Sequence, residues 1–112
     1  MSTIFGKIIR GEVPCKKEFE SETVLAFHDI VPQAPIHILI IPKKEIPDLQ
    51  SVEPGDYPLI GEMVKAAQHI AKKLGVEKAY RLVTNTGSKA GQGVFHLHFH
   101  LLAGRELSNA LG

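Results

Sequence analysis

The sequence GQGVFHLHFHLL at residues 91–102 alternates between apolar and histidine side chains from position 94 onwards. Successive side chains of a strand point to opposite faces, so this alternation predicts a β-strand over Val94–Leu102. One face would pack beneath a helix and carry Phe95, Leu97, Phe99 and Leu101. The other would carry His96, His98 and His100, with neighbouring imidazoles roughly 6.5–7 Å apart from the strand rise.

These three histidines indicate a functional site. A lone buried histidine is most often a structural residue, since histidine is only moderately buried in folded proteins. Three of them beside a glycine-rich loop are instead typical of the convergent polar groups of a pocket. His37 is the only polar residue of the apolar run Ile36–Ile41. It either faces the same pocket or bonds a backbone group inside the core, and composition favours neither interpretation.

The loop before the histidines suits a phosphate group. Residues 84–93 are rich in Gly, Asn, Thr and Ser, and successive backbone N–H groups in such a turn can form an anion-binding nest. Gly91 and Gly93 would let the chain approach a ligand closely. Asn85 and Gln92 would add neutral amide donors. Because glycine-rich loops are common, this prediction depends on the neighbouring histidines.

The remaining segments predict a single α+β domain over residues 1–112. Thr3 is expected to cap a short helix over Ile4–Arg10 that ends at Gly11. Between Pro54 and Leu74, apolar residues recur at helical spacing and predict a long helix that stops at Gly75. Its apolar stripe comprises Ile60, Met63, Val64, Ala67, Ile70, Ala71 and Leu74, and His69 falls off that stripe onto the surface. The further predicted strands are Lys17–Glu20, Val24–His28, Ile36–Ile41 and Tyr80–Val83.

The composition argues against several classes of partner. The chain has 13 Lys+Arg against 12 Asp+Glu, so bulk electrostatics predict no nucleic-acid partner. Cys15 is the only cysteine, which rules out an intramolecular disulfide. No signal-like start and no apolar run of about 20 residues occur, so we expect a cytoplasmic protein with no membrane partner.

The segment His96-Leu97-His98-Phe99-His100-Leu101-Leu102 matches the signature of the histidine triad (HIT) family, in which histidines alternate with apolar residues. Other segments resemble the Hint branch of this family in order and spacing. They are Ile4–Pro14, Leu25–Ile30, Gln33–His37, Ile41–Lys44, Asn85 with Gly87, and Ala103–Arg105. The resemblance covers essentially the whole chain.

The resemblance implies a HIT-like fold, with a five-stranded antiparallel sheet, one long helix and one short N-terminal helix. It also implies a homodimer in which the sheets of two subunits join. A purine nucleotide would bind with its base among Phe5, Ile8, Val13, Phe27, His28 and Ile30. Asp29 would accept hydrogen bonds from the ribose hydroxyls. The α-phosphate would lie among Asn85, Gly91, Gln92, Gly93, His98 and His100, with His37 in the same network.

Members of this branch are known to hydrolyse adenosine phosphoramidates and aminoacyl adenylates without a metal or other cofactor, and the resemblance implies the same here. His98 would attack phosphorus with one ring nitrogen while the other donates to a backbone carbonyl. Water would then cleave the covalent nucleotidyl-histidine and release AMP. His100 would stabilise charge on the phosphate oxygens, and His96 would support the network.

Three positions refine the resemblance. His100 stands where the nucleotide-transferase branch usually carries glutamine, which favours hydrolysis. Gly93 stands where many Hint proteins carry serine, so the group that protonates the leaving amine is not identified. Glu45 replaces a histidine common in the branch and is expected on a surface turn.

Two other functions compete with this interpretation. Histidines at alternating strand positions can bind zinc, with His37 completing the set, although same-face histidines on one strand do not converge easily on one ion. The same pocket could also serve a non-catalytic nucleotide sensor that regulates a partner, because fold and motif do not fix function.

Overall fold

Five strands form one sheet in the computed structural model, which describes residues 3–112. The strands are β1 (Lys17–Glu20), β2 (Val24–His28), β3 (Ile36–Pro42), β4 (Tyr80–Val83) and β5 (Phe99–Ala103). Their order across the sheet is β1-β2-β3-β5-β4, and every neighbouring pair is antiparallel. The predicted α+β class with a five-stranded antiparallel sheet is therefore confirmed.

Two α-helices accompany the sheet. The short helix α1 (Ile4–Ile9) is capped by Thr3, whose hydroxyl accepts from the Gly6 N–H at 3.2 Å. The long helix α2 (Tyr57–Lys73) has a proline in its first turn, where the missing N–H costs no helical hydrogen bond. Gly75 follows at a φ of +73°, which suits the predicted stop. Short 3-10 turns occur at Leu49–Ser51, Pro54–Asp56 and Ser88–Ala90.

The two faces of the sheet bury different clusters. The larger cluster joins one face to the buried side of α2, which comprises Met63, Ala66, Ala67, Ile70 and Ala71. The smaller cluster packs α1 against the other face and comprises Phe5, Leu25, Phe27, Leu39 and Ile41. No helix within residues 3–112 is long and apolar enough to cross a bilayer.

The β3–β5 register brings the histidines of two strands together. His37 pairs with Leu102, and Leu39 pairs with His100. Residues two apart on a strand share a face, so His37, Leu39 and His100 lie on the same side of the sheet. Leu39 belongs to the cluster that contains Phe5, so this is the face that α1 covers.

The strand predicted over Val94–Leu102 is wrong in its first half, because β5 begins only at Phe99. The backbone of the preceding residues bonds to loops instead of a strand ladder. The N–H of Leu97 donates to Ile46 O at 2.6 Å, and the hydroxyl of Thr84 donates to His98 O at 2.8 Å. Leu97, Phe99 and Leu101 still enter the α2 cluster as predicted.

Two residues of the predicted apolar faces lie outside the core. Phe95 is 51% exposed, because residues 94–96 form bends in which strand alternation no longer applies. Val64 is 40% exposed, since the sheet-facing side of α2 is centred on Met63 and Ala67. His69 lies on the surface as predicted.

Candidate active site

His98 lies immediately before β5 with its imidazole 94% buried. Its Nδ1 is 2.7 Å from the backbone carbonyl oxygen of His96. A carbonyl can only accept, so Nδ1 carries the proton and Nε2 keeps its lone pair. The ring of Phe5 packs edge-on against this imidazole with a centroid separation of 5.1 Å. The predicted bond from one ring nitrogen to a backbone carbonyl is confirmed.

His37 and His100 form a directed hydrogen-bonded pair. The backbone N–H of Gln33 donates to Nδ1 of His37 at 3.0 Å, so the proton of His37 lies on Nε2. That nitrogen is 2.9 Å from Nδ1 of His100, to which it donates, and 3.4 Å from a carboxylate oxygen of Asp29. The proton of His100 is therefore on its own Nε2. His37 thus combines the two interpretations, because it bonds a backbone N–H through Nδ1 and meets His100 in the histidine pocket through Nε2.

Burial keeps these imidazoles neutral. The pKa of His100 is lowered to about 4, first by burial and then by the neighbouring His98 and His37, while Asp29 opposes the shift. Burial also lowers the pKa of His37, again against the effect of Asp29. A neutral His100 at pH 7 has one donor and one acceptor nitrogen, as the hydrogen bonds require.

His96 has a different environment from the other two histidines of the triad. Its ring is 99% buried beside Phe5, and its Nε2 donates to the carbonyl of Pro42 at 2.7 Å. Nδ1 has no partner among the described residues. Burial lowers the pKa of this imidazole as well. His96 thus ties the segment before β5 to the end of β3, and the supporting role in catalysis stays a prediction.

A largely apolar cavity of about 290 Å³ opens between α1 and β2. Every residue predicted to hold the base or ribose lines it, namely Phe5, Ile8, Val13, Phe27, His28, Asp29 and Ile30. Phe5 and Phe27 meet edge to face with centroids 5.5 Å apart. Ile30 is 95% exposed and lies at the rim, and Nε2 of His28 bonds to Glu18 at 3.0 Å.

Sequence reasoning missed several lining residues of this cavity: Ile4, Pro14, Cys15, Leu39 and Val94. Leu39 carried a usable signal, because it lies two residues after His37 on the same strand face. Cys15 and Val94 lie outside the helices and strands, where no periodicity predicts the direction of a side chain.

The loop over residues 84–93 differs from its prediction in one respect. Gln92 is 96% buried, and its side-chain N–H groups donate to Pro47 O at 2.7 Å and to Val94 O at 3.1 Å. Its side-chain oxygen accepts from the Gly87 N–H at 2.8 Å. Both side-chain N–H groups are used within the protein, so the prediction that this amide donates to a phosphate is wrong. Gln92 instead holds the loop closed.

The backbone donors of this loop are also partly used. The N–H of Gly91 donates to Ser88 O, and that of Gln92 donates to Gly87 O. Among the described residues, neither the Gly93 N–H nor the side-chain amide of Asn85 has a hydrogen-bond partner. Of the predicted nest, these two groups remain as donors for an anion. A Cβ at Gly93 would meet nothing within 4 Å, so no crowding explains the missing serine.

Asp29, His37 and His100 are close enough together to be considered as metal ligands, with ligand atoms within 4.8 Å of one another. A histidine that binds a metal through Nε2 normally donates its Nδ1–H to an acceptor. Nδ1 of His37 faces the Gln33 N–H instead, which requires an unprotonated Nδ1. The hydrogen bonds around the cluster therefore fit a proton-carrying Nε2 and do not fit a metal ligand.

Comparisons with known proteins agree with this geometry. A HIT domain model matches residues 10–107. An uncharacterized HIT-like protein of Synechocystis is 48% identical over 106 residues, which span 95% of this chain and 93% of that protein. The crystal structure of a HIT family hydrolase from Legionella pneumophila superposes with a TM-score of 0.96 at 43% identity, covering 99% of this chain and 100% of that one. A histidine triad nucleotide-binding protein from Candida albicans gives a TM-score of 0.82 at 32% identity, over 99% and 87% of the two chains.

Proposed function

Because the chain belongs to the HIT domain family, we propose that it is a nucleotide-binding hydrolase of the Hint branch. Its substrates would be purine nucleoside phosphoramidates, such as AMP-amine or AMP-lysine conjugates, and aminoacyl adenylates. The observation that carries the proposal is the tautomer of His98. Its Nδ1–H is held by the His96 carbonyl at 2.7 Å, which leaves Nε2 as a neutral nucleophile.

The proposed reaction has two displacements at the α-phosphorus. Nε2 of His98 forms a bond to phosphorus as the P–N bond of the substrate breaks, and the departing amine takes a proton from solvent. Water then attacks the nucleotidyl-histidine and loses a proton to solvent, the bond to Nε2 breaks, and AMP is released with neutral His98 restored. Covalent catalysis of this kind replaces one difficult step with two easier ones.

His100 and two groups of the preceding loop would stabilise charge during both steps. His100 carries its proton on Nε2 because its Nδ1 accepts from His37. Together with the Gly93 N–H and the Asn85 amide, it would donate to the phosphate oxygens, and preorganised donors lower the barrier most where charge develops. Because His100 is neutral, its N–H can donate a hydrogen bond without a buried positive charge on the imidazole.

The cavity beside α1 supports a purine nucleoside. Its walls include the aromatic side chains of Phe5 and Phe27, which suit a flat base of either purine. One carboxylate oxygen of Asp29 already accepts from the Val31 N–H at 2.8 Å. A carboxylate has about four acceptor positions, so Asp29 retains capacity for ribose hydroxyls.

Trapping the intermediate tests the proposal. The protein is mixed with an adenosine phosphoramidate, quenched in alkali and digested, and the peptide that holds His98 is weighed for an added AMP. His98→Ala should abolish the adduct and lower turnover by ~10⁴-fold or more, as removal of a nucleophile does elsewhere. His69→Ala is the matched control, because His69 is exposed on α2 and should leave adduct and turnover unchanged.

The outcomes separate the competing functions. AMP that binds to a protein which neither forms the adduct nor turns over substrate would identify a nucleotide sensor instead of a hydrolase. Turnover by His98→Ala at the wild-type rate would refute the nucleophile. A panel of phosphoramidates, aminoacyl adenylates and dinucleoside polyphosphates then ranks the leaving groups.

We also propose a cytoplasmic homodimer. β4 is an edge strand that pairs only with β5 within the described chain, and unpaired edges readily accept another strand. Leu82 on this edge is 37% exposed. A separate groove of about 620 Å³ on the α2 side has exposed apolar walls that include Leu49, Tyr57 and Val64. A partner subunit that extends the sheet at β4 would cover apolar surface on this side.

A further inference from the structure

The turn after β5 contacts the loop between β2 and β3. Nη2 of Arg105 donates to the backbone carbonyl of Gln33 at 2.9 Å. A second guanidinium nitrogen, Nη1, donates to the carbonyl of Glu106 at 2.9 Å, so both ends of the fork are fixed. A hydrogen bond from a charged donor is stronger than one between neutral groups. Arg105 therefore restrains the position of Gln33.

A second contact joins the same turn to the same loop. Gly104 has a φ of +98°, and a Cβ at this position would lie 2.9 Å from Cβ of Pro35. Only glycine allows both this conformation and this approach. The turn at residues 104–105 thus packs on the loop at Pro35 and bonds to it at Gln33.

Gln33 connects this turn to the imidazoles. Its carbonyl accepts from Arg105, while its N–H donates to Nδ1 of His37 at 3.0 Å. The two bonds anchor Gln33 on both sides of its Cα, so loss of the bond to Arg105 would leave the N–H that faces His37 held from one side only. The N–H of Gln33 keeps Nδ1 of His37 unprotonated, which puts the proton of His37 on the side of His100.

We propose that Arg105 is a positioning residue for the hydrolase: through Gln33 it fixes the tautomer of His37 and thereby the Nε2–H that His100 presents to the substrate phosphate. The inference rests on the proposed function for its catalytic consequence. The effect on tautomers is a property of the free protein and needs no substrate. Without Arg105, His37 could place its proton on Nδ1; its Nε2 would then accept from Nδ1–H of His100, and His100 would lose the Nε2–H that faces the substrate.

The test compares Arg105→Met with wild type by two measurements. Nitrogen-15 chemical shifts of the ring nitrogens report the tautomers of His37 and His100, and steady-state kinetics report kcat and KM on an adenosine phosphoramidate. We expect His37 to leave the pure Nε2–H tautomer, and kcat to fall roughly tenfold, as loss of a charged hydrogen bond implies. KM should stay unchanged, because the nucleoside cavity does not include Arg105. Arg105→Lys, which keeps one cationic donor, should restore part of both effects.

Arg81→Met is the matched control. Arg81 also donates from Nη2 to a backbone carbonyl, that of Ser108 at 2.6 Å, but it lies on β4, which β5 separates from β3. It should keep wild-type nitrogen shifts and wild-type kcat. Wild-type tautomers or wild-type kcat in Arg105→Met would overturn the proposal. If the wild-type protein does not hydrolyse the substrate, the proposed function fails, while the nitrogen shifts still decide whether Arg105 sets the tautomer.

Discussion

Single backbone groups decide which nitrogen of each imidazole carries its proton. The carbonyl of His96 assigns Nδ1–H to His98, and the Gln33 N–H assigns Nε2–H to His37. The two rings therefore have opposite tautomers, although they lie in one site. His98 offers a lone pair at Nε2, whereas His37 uses Nε2–H to orient His100. Nucleophile and donor are thus distinguished by their hydrogen bonds and not by residue type.

The buried imidazoles predict a loss of stability in acid. The pKa of His100 is about 4 in the fold against 6.5 for the free side chain, so the unfolded chain binds this proton first. The contribution of His100 to stability is complete above pH 6.5 and is lost as the pH falls towards 4. We expect the Tm of wild type to decrease over this window, and that of His100→Gln to decrease less. Parallel Tm curves for the two proteins between pH 7 and pH 4, followed by circular dichroism, would contradict the assignment.

The sequence predicted which residues meet at the site but not how they are used. Alternation located His98 and His100, and the strand register then brought His37 to them. Tautomers depend on backbone groups from Pro42, Gln33 and His96, whose directions are set by tertiary contacts. No local pattern contains that information.

Among the structural elements, the loop before the histidines departs most from its prediction. Glycine and amide content predicted a row of anion donors, yet Gly91 and Gln92 use their N–H groups to close the 3-10 turn. The same residue types can serve a ligand or the loop itself, and composition does not distinguish the two. Leu97 and His98 also depart from the predicted last strand. Their backbone groups bond to Ile46 and Thr84 instead of to a neighbouring strand.

Gln92 therefore has a structural role that a substitution can reveal. Gln92→Met keeps the volume and removes three hydrogen bonds, which leaves the Gly87 N–H and the carbonyls of Pro47 and Val94 unpaired. We expect a loss of about 1–3 kcal/mol in the free energy of unfolding and slower formation of the nucleotidyl-histidine, because Gly93 lies next to the loosened residue. The chain has no tryptophan, so urea unfolding is followed by circular dichroism.

Gln68→Met serves as the control for that substitution. Gln68 is exposed on α2, and surface changes of this kind usually stay within about 0.5 kcal/mol. Equal stabilities for the two variants would show that the buried amide does not hold the loop. A destabilised Gln92→Met that forms the intermediate at the wild-type rate would separate the loop from catalysis.

At the scale of the whole molecule, the sheet has two unequal faces. The α2 face buries the larger cluster, whereas α1 covers only part of the other face and leaves the nucleoside cavity beside it. Stability and the proposed chemistry are therefore separated by the sheet. β3 and β5 belong to both, since Ile38 and Leu101 pack towards α2 while His37 and His100 face the site. Substitutions in the α2 cluster should therefore act on the histidines by way of these strands.

The free edge of β4 supplies the prediction for assembly. Leu82 pairs with Leu101 across β4 and β5, so it lies on the α2 face, and a second subunit added at this edge would bury it. A charged side chain at an edge strand opposes strand addition. Leu82→Lys should therefore shift the protein from dimer to monomer, seen as a lower sedimentation coefficient at micromolar concentration.

Val31→Lys is the control. It also replaces an exposed apolar residue, but Val31 lies in the connection between two inner strands, so this variant should stay dimeric. If Leu82→Lys sediments like wild type while both are dimers, the subunits meet elsewhere. If wild type itself is monomeric at these concentrations, the exposed apolar surface beside β4 and α2 does not serve self-association.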